Sequence, residues 1–229
     1  MVVLLTSGLL VSCRGVLIGS GKIKTEEYTV RDFTSVEISS AFEFEITQSD
    51  SYGVSITADD NVIEKVEATK EGSTLKIGLK TIPSLGPVTL KATVTMPQLR
   101  GLTVSGASRG NVSDFSSKEN FDLNVSGASR VTGDVTAGNS DFEVSGASTV
   151  QLEGLANNMV ANVSGASRFN FGGFIVNNAN VIFSGASTGT ANLNGRLDAD
   201  LSGASKLSYI GEPTMGNINT SGASSLSKK

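Results

Sequence analysis

The chain has 229 residues, room for one large all-β domain or two smaller ones, and its formal charge of −4 with a pI near 5.0 excludes a general nucleic-acid binder, which carries a basic excess. Hydrophobic residues make up 38%, with 26 glycines against 4 prolines, which suits an elongated stack of small residues better than a rounded core. Histidine and tryptophan are absent. Without histidine there is no common general base or metal ligand and no Ser-His or Cys-His pair, and without tryptophan the simplest sugar-stacking surface is lost.

The first element is a short apolar run, Val2 to Leu10, interrupted by Thr6, Ser7 and Gly8. It falls short of the roughly 20 apolar residues that span a bilayer. The run leads into Leu10-Val11-Ser12-Cys13, the pattern of a bacterial lipobox, and Cys13 is the single cysteine of the chain. A lone cysteine forms no internal disulfide. Cys13 is therefore read as a lipidation site, its thiol carrying a diacylglycerol and its freed amine a further acyl chain. Residues 1–12 are then a signal peptide, read as truncated because no Lys or Arg precedes the apolar run. Residues 13–21 read as the lipid-anchor tether and 22–229 as one domain.

Within that domain, residues 22–100 form a less regular β region. Strands are expected at Gly53–Ala58, Thr74–Leu79 and Val88–Met96, with a short helical turn over Asn61–Glu67. The segment Val36 to Ile46 aligns with Leu102 to Val112 and reads as a worn copy of the repeat that follows. Such a region is expected to continue the stack and to cap it, because an open end offers unpaired backbone to other chains.

The repeat occupies residues 101–229. Ser-Gly-Ala-Ser begins at Ser105, Ser126, Ser145, Ser164, Ser184, Ser202 and Ser221, at intervals of 18 to 21 residues. Before each copy an apolar residue alternates with a polar one, as in Leu123-Asn124-Val125 and Phe142-Glu143-Val144. After it the second residue, such as Val131, Val150 or Leu207, is again apolar between polar neighbours. Period-2 alternation marks half-buried strands and excludes a helical solenoid; a coil of about 19 residues is too short for a propeller blade. The expected fold is all-β: a right-handed parallel β-helix, or β-solenoid, with coils of about 19 residues. The tetrapeptide serves as either a corner or a flat wall, with its serines able to hydrogen-bond along the stack.

The sequence resembles a known family over roughly residues 30–227. The matching stretches are Arg31 to Ile38, Phe44 to Gln48, Gly72 to Ile77, Val94 to Leu99 with the tetrapeptide repeats after it, and Tyr209 to Pro213 leading to Ser221. These are similar to the putative auto-transporter adhesin, head GIN domain proteins, which are often lipoproteins. The resemblance implies a β-helical fold and an adhesin role, and it brings no catalytic motif.

The carboxylates that a polysaccharide-cleaving β-helix would need, Asp122, Asp141, Glu143, Glu153, Asp198 and Asp200, are dispersed over turns and strand edges. The Gly-Gly-x-Gly-x-Asp signature of calcium-binding β-rolls is absent. No catalytic residue, metal site or cofactor is expected. Two rows stand out as a binding surface. One is Arg109, Arg130, Thr149, Arg168, Thr188 and Lys206, basic or neutral throughout, which suits anionic glycans or lipid head groups. The other is Asn111, Thr132, Gln151, Asn170, Thr190 and Ser208, uncharged, which suits sugar hydroxyls. A solvated wall kept soluble by its charges accounts for the same rows. The reading is a cell-envelope lipoprotein of the outer membrane. It acts as an adhesin or structural binding module without catalysis, and the alternative is a glycan-active or glycan-binding β-helix. Its partners are the membrane, through the lipid, and glycans or other envelope proteins, with no nucleic acid.

Overall fold

A computed structural model of the chain describes residues 16–81 and 84–229; Cys13 and the apolar run before it lie outside the described residues. The chain is a β-solenoid of about six turns with about 20 residues each. Helical structure among the described residues is one 3-10 turn, Ile63–Lys65, inside the segment expected to be helical.

Each coil has a leading wall, the strand before the tetrapeptide, and a trailing wall, the strand after it. Along the leading wall, Gly101–Val104, Phe121–Val125 and Asn139–Val144 pair in parallel, one coil above the next. The ladder continues through Asn158–Val163, the second halves of the following coils, and Arg196–Leu201 to Thr214–Thr220. The trailing wall runs likewise from Arg109–Ser116 through Arg130–Thr136 to Lys206–Ile210 and Ser225–Lys228. The worn copy takes its expected register: Val36 pairs with Leu102 and Phe44 with Gly110.

The tetrapeptide is the corner between these walls. Its glycine and alanine are exposed, and its second serine points inward: Ser108, Ser129, Ser148, Ser167, Ser187 and Ser205 are all buried. The hydroxyls of Ser167, Ser187 and Ser205 bond to backbone carbonyls, whereas those of Ser108, Ser129 and Ser148 have no hydrogen-bond partner among the described residues. Ser187 Oγ donates to the Ser184 carbonyl at 2.8 Å, and Ser205 Oγ to that of Phe183 at 3.3 Å. From the Ser126 corner onward the parallel ladder passes unbroken through the corner, as in Ser145 N to Val125 O, Ala147 N to Gly127 O and Thr149 N to Ser129 O. In the worn copy, Phe42 stands where the inward serine would be and is fully buried.

The core is aromatic. All ten phenylalanines of the chain are buried, and six of them (Phe121, Phe142, Phe169, Phe171, Phe174 and Phe183) form one cluster with ring centroids 3.7 to 6.3 Å apart. Gly110 and Gly189 are the inward positions where a neighbouring ring already fills the space: a Cβ on Gly110 would meet the Phe44 ring at 2.4 Å, and one on Gly189 the Phe183 ring at 2.7 Å.

Residues 22–100 build the base of the stack out of chain order. The coil made by Thr74–Leu79 and Leu90–Met96 lies beneath the worn copy, on the side away from the repeats. Antiparallel strands then close it: Val66–Glu71 covers Thr74–Leu79, and Gly53–Asp59 with Ile23–Glu27 covers Leu90–Met96. An antiparallel cap ends the open parallel edge. The segment read as the tether is partly fastened to this cap, since Val16–Leu17 pairs with Ser84–Leu85.

Candidate functional site

Strand alternation turns Arg109 and Asn111 outward while Gly110 and Val112 face the core. Parallel pairing repeats that choice in every coil. Arg109, Arg130, Thr149, Arg168, Thr188 and Lys206 are successive register partners, and so are Asn111, Thr132, Gln151, Asn170, Thr190 and Ser208. The two rows expected from the sequence thus form adjacent columns on the outer face of the trailing wall.

The members of the columns differ in their bonding. Arg109 is tied to Glu43 of the worn copy, with guanidinium to carboxylate distances of 3.2 and 3.3 Å. Arg130, Arg168 and Lys206 make no ion pair among the described residues. They occupy every second coil, with a threonine between, so these cations recur about every 9.5 Å along the wall. Beside them, Thr132 Oγ1 donates to Asn111 Oδ1 at 3.1 Å, and Gly172 N donates to Asn170 Oδ1 at 3.4 Å. The Gln151 side chain is exposed and makes no hydrogen bond among the described residues. A third position along the same wall is acidic: Asp134 and Glu153 are register partners.

The acidic residues are not all dispersed, which corrects the expectation from the sequence. Asp122 and Asp141 are register partners on the leading wall, and Glu143 lies two residues along the same outer face. The reason is the coil length: Asp122 and Asp141 are one turn apart, so distant positions become neighbours. With Ser35, Glu37, Thr103 and Asn124 they line a groove of about 430 Å³, opened where Gly101 carries no side chain. Partial burial, and secondarily the Asp141 charge, raises the pKa of Asp122 above the usual aspartate value. No group of three or more His, Cys, Asp or Glu among the described residues is arranged to hold a metal ion.

Sequence reasoning missed two further features. Asn120, Asn139, Asn158 and Asn178 form a ladder, each Nδ2 donating to the Oδ1 of the asparagine one coil earlier at 2.8 to 3.2 Å. Their spacing repeats the tetrapeptide's own interval, which was the available signal. The other is exposed apolar surface: Val160 and Ile182 on the leading wall, and Leu155 beside its register partner Ile175. No periodicity marks these four, because apolar residues at outward positions break the alternation that carries the signal.

A family model described as "Putative auto-transporter adhesin, head GIN domain" matches residues 32–213. No curated protein matches the sequence. Among solved structures, a putative adhesin from Bacteroides fragilis is similar with a TM-score of 0.88 at 21% identity, covering 93% of this chain and all of its own. A protein from Parabacteroides distasonis described as a putative lipid binding protein has a TM-score of 0.77 at 20% identity, covering 94% of this chain and all of its own. A putative adhesin from Parabacteroides merdae has a TM-score of 0.67 at 18% identity, over 93% of this chain and 98% of its own. At these identities the likeness is one of fold.

Proposed function

This chain belongs to the putative auto-transporter adhesin, head GIN domain family, and on that footing we propose that it is an envelope lipoprotein whose trailing wall binds anionic glycans without catalysis. The observation that carries this reading is the column of cations that make no ion pair among the described residues, Arg130, Arg168 and Lys206, beside a column of amides and hydroxyls on one face. Cations every second coil match a polymer bearing one acidic group per disaccharide. The adjoining Asn111, Thr132, Gln151 and Asn170 supply donors and acceptors for its hydroxyls. Exposed charge pairs are individually weak, so binding depends on several acting along one polymer. A fixed wall of stacked strands keeps their backbones in line before binding, so that only the side chains are ordered at that moment.

Cys13 carries the lipid in this reading and holds the solenoid to the outer membrane. Incorporation of labelled palmitate tests it: the wild-type chain takes up label and Cys13→Ala does not. Label in the variant contradicts the assignment. Wall binding is tested on an array of acidic and neutral oligosaccharides, with a soluble fragment beginning at Arg14 so that Val16–Gly21 stays docked. Acidic glycans are expected to bind and neutral ones not.

A second reading has an observation of its own. Asp122 with its raised pKa beside Asp141 is a carboxylate pair in a groove, the kind of arrangement used in glycoside hydrolysis. Release of reducing ends from any polysaccharide, abolished by Asp141→Asn, would establish it.

A further inference from the structure

The three most exposed large apolar residues among those described are Val16, Ile18 and Ile23, each more than half exposed. All three lie at the capped end. Val16 and Ile18 stand over Gly86, where a Cβ would meet their Cγ1 atoms at 3.2 and 2.9 Å. Ile23 begins the outermost cap strand and pairs with Asp59. Asp59 in turn joins the two parts: its carboxylate accepts from the N–H of Gly21 and of Thr89, both at 2.7 Å. Asn61 adds a bond from its Nδ2 to the Ile18 carbonyl at 2.9 Å, and Gly19 N donates to Pro87 O at 2.9 Å. The apolar residues are therefore held on a rigid base rather than on a loose leader.

We infer that this capped end rests on the bilayer, with Val16, Ile18 and Ile23 entering its interfacial region and the repeat coils standing away from it. The inference rests on the lipid-anchor reading of Cys13 given above. The choice of a bilayer as occupant comes from the chain itself. Only Arg14 and Gly15 separate Cys13 from Val16, a reach of about 10 Å at full extension. An acyl chain at Cys13 brings the cap against the membrane surface, and exposed aliphatic side chains gain by leaving water there. Lys22, which makes no ion pair among the described residues, stands between Ile18 and Ile23 and meets lipid phosphate. Lys24 is paired with Glu26, and Glu27, Asp60 and Glu64 share this end, so apolar contact rather than net charge drives the docking.

The full chain supplies the test, because acylation takes up its single native thiol. Ile18→Cys and Ile23→Cys are labelled with a polarity-sensitive fluorophore and reconstituted in phosphatidylethanolamine–phosphatidylglycerol vesicles containing nitroxide lipid. Blue-shifted, quenched emission is expected at both sites, with neither change at Thr188→Cys or Ser225→Cys. Unlabelled chains give a second readout: vesicles slow tryptic cleavage after Lys22, and a Val16→Asp, Ile18→Asp double variant loses that protection while staying vesicle-bound. Unquenched labels at 18 and 23 in a chain that sediments with vesicles overturn the inference and leave the anchor standing. A chain that does not associate with vesicles at all overturns the anchor and the choice of occupant with it.

Discussion

At the residue scale the tetrapeptide glycine carries a double constraint. Gly146 has φ of +76°, a conformation that costs an L-residue about 1–2 kcal/mol. A Cβ there would also lie 2.3 Å from the carbonyl oxygen of Gly127 one coil below, although the position is open to solvent on its other side. Gly127 has the same φ, but the nearest atom to its Cβ would be 3.4 Å away. Gly146→Ala should therefore lose the conformational term plus roughly 1–3 kcal/mol of overpacking, and Gly127→Ala the conformational term alone. Equal losses in denaturant melts would refute stacking as the cause. Asp122 gives a test with a sign. Its folded pKa is raised, so its charged form is disfavoured in the fold, and stability is lost as pH rises above about 3.9 through the folded value. Asp122→Asn should stabilise the chain at pH 7 by less than about 1 kcal/mol, solvent screening limiting the effect, and should do nothing at pH 3.

At the scale of elements, the cap is held by a carboxylate with the opposite behaviour. N–H donors from Thr89 and then Gly21 hold the Asp59 pKa below the usual range. That contribution is present above the unfolded aspartate pKa and lost as pH falls through the lower folded value. Asp59→Asn, which presents an NH₂ to one of those donors, should speed tryptic cleavage after Lys22 by about an order of magnitude or more, while the repeat coils stay protected from exchange. Unchanged cleavage would mean the N-terminal segment is held by other contacts. The repeat walls were legible in the sequence because alternation and spacing both point the same way, and even the worn copy kept its register. The order of the base was not. Alternation in Thr74–Leu79 reports which face is buried, and nothing in it says that this strand lies beneath Ser35–Ile38. The core was misjudged as one of small residues for a related reason: composition counts residues rather than volume, and ten phenylalanines fill what 38% hydrophobic content seemed to leave empty.

At the scale of the molecule, the repeat converts sequence intervals into surface columns. A choice made once per coil becomes a line of cations on the trailing wall and a cluster of carboxylates on the leading one. The candidate wall was legible because its residues flank the tetrapeptide directly and drift little in register. The carboxylate groove was not, because spacing alone does not show that Gly101 leaves a gap between its register partners Ser35 and Asp122, bordered by Asp141 and Glu143. Binding without cleavage is what the trailing wall is proposed to do. It is tested most directly by titrating an acidic polysaccharide into the Arg14 fragment and its Arg130→Glu, Arg168→Glu variant by calorimetry, with product analysis on the same samples. Salt-sensitive binding is expected, weakened at least about tenfold in the variant, with the polymer intact. Equal affinity in both proteins, or a shortened polymer, would contradict it.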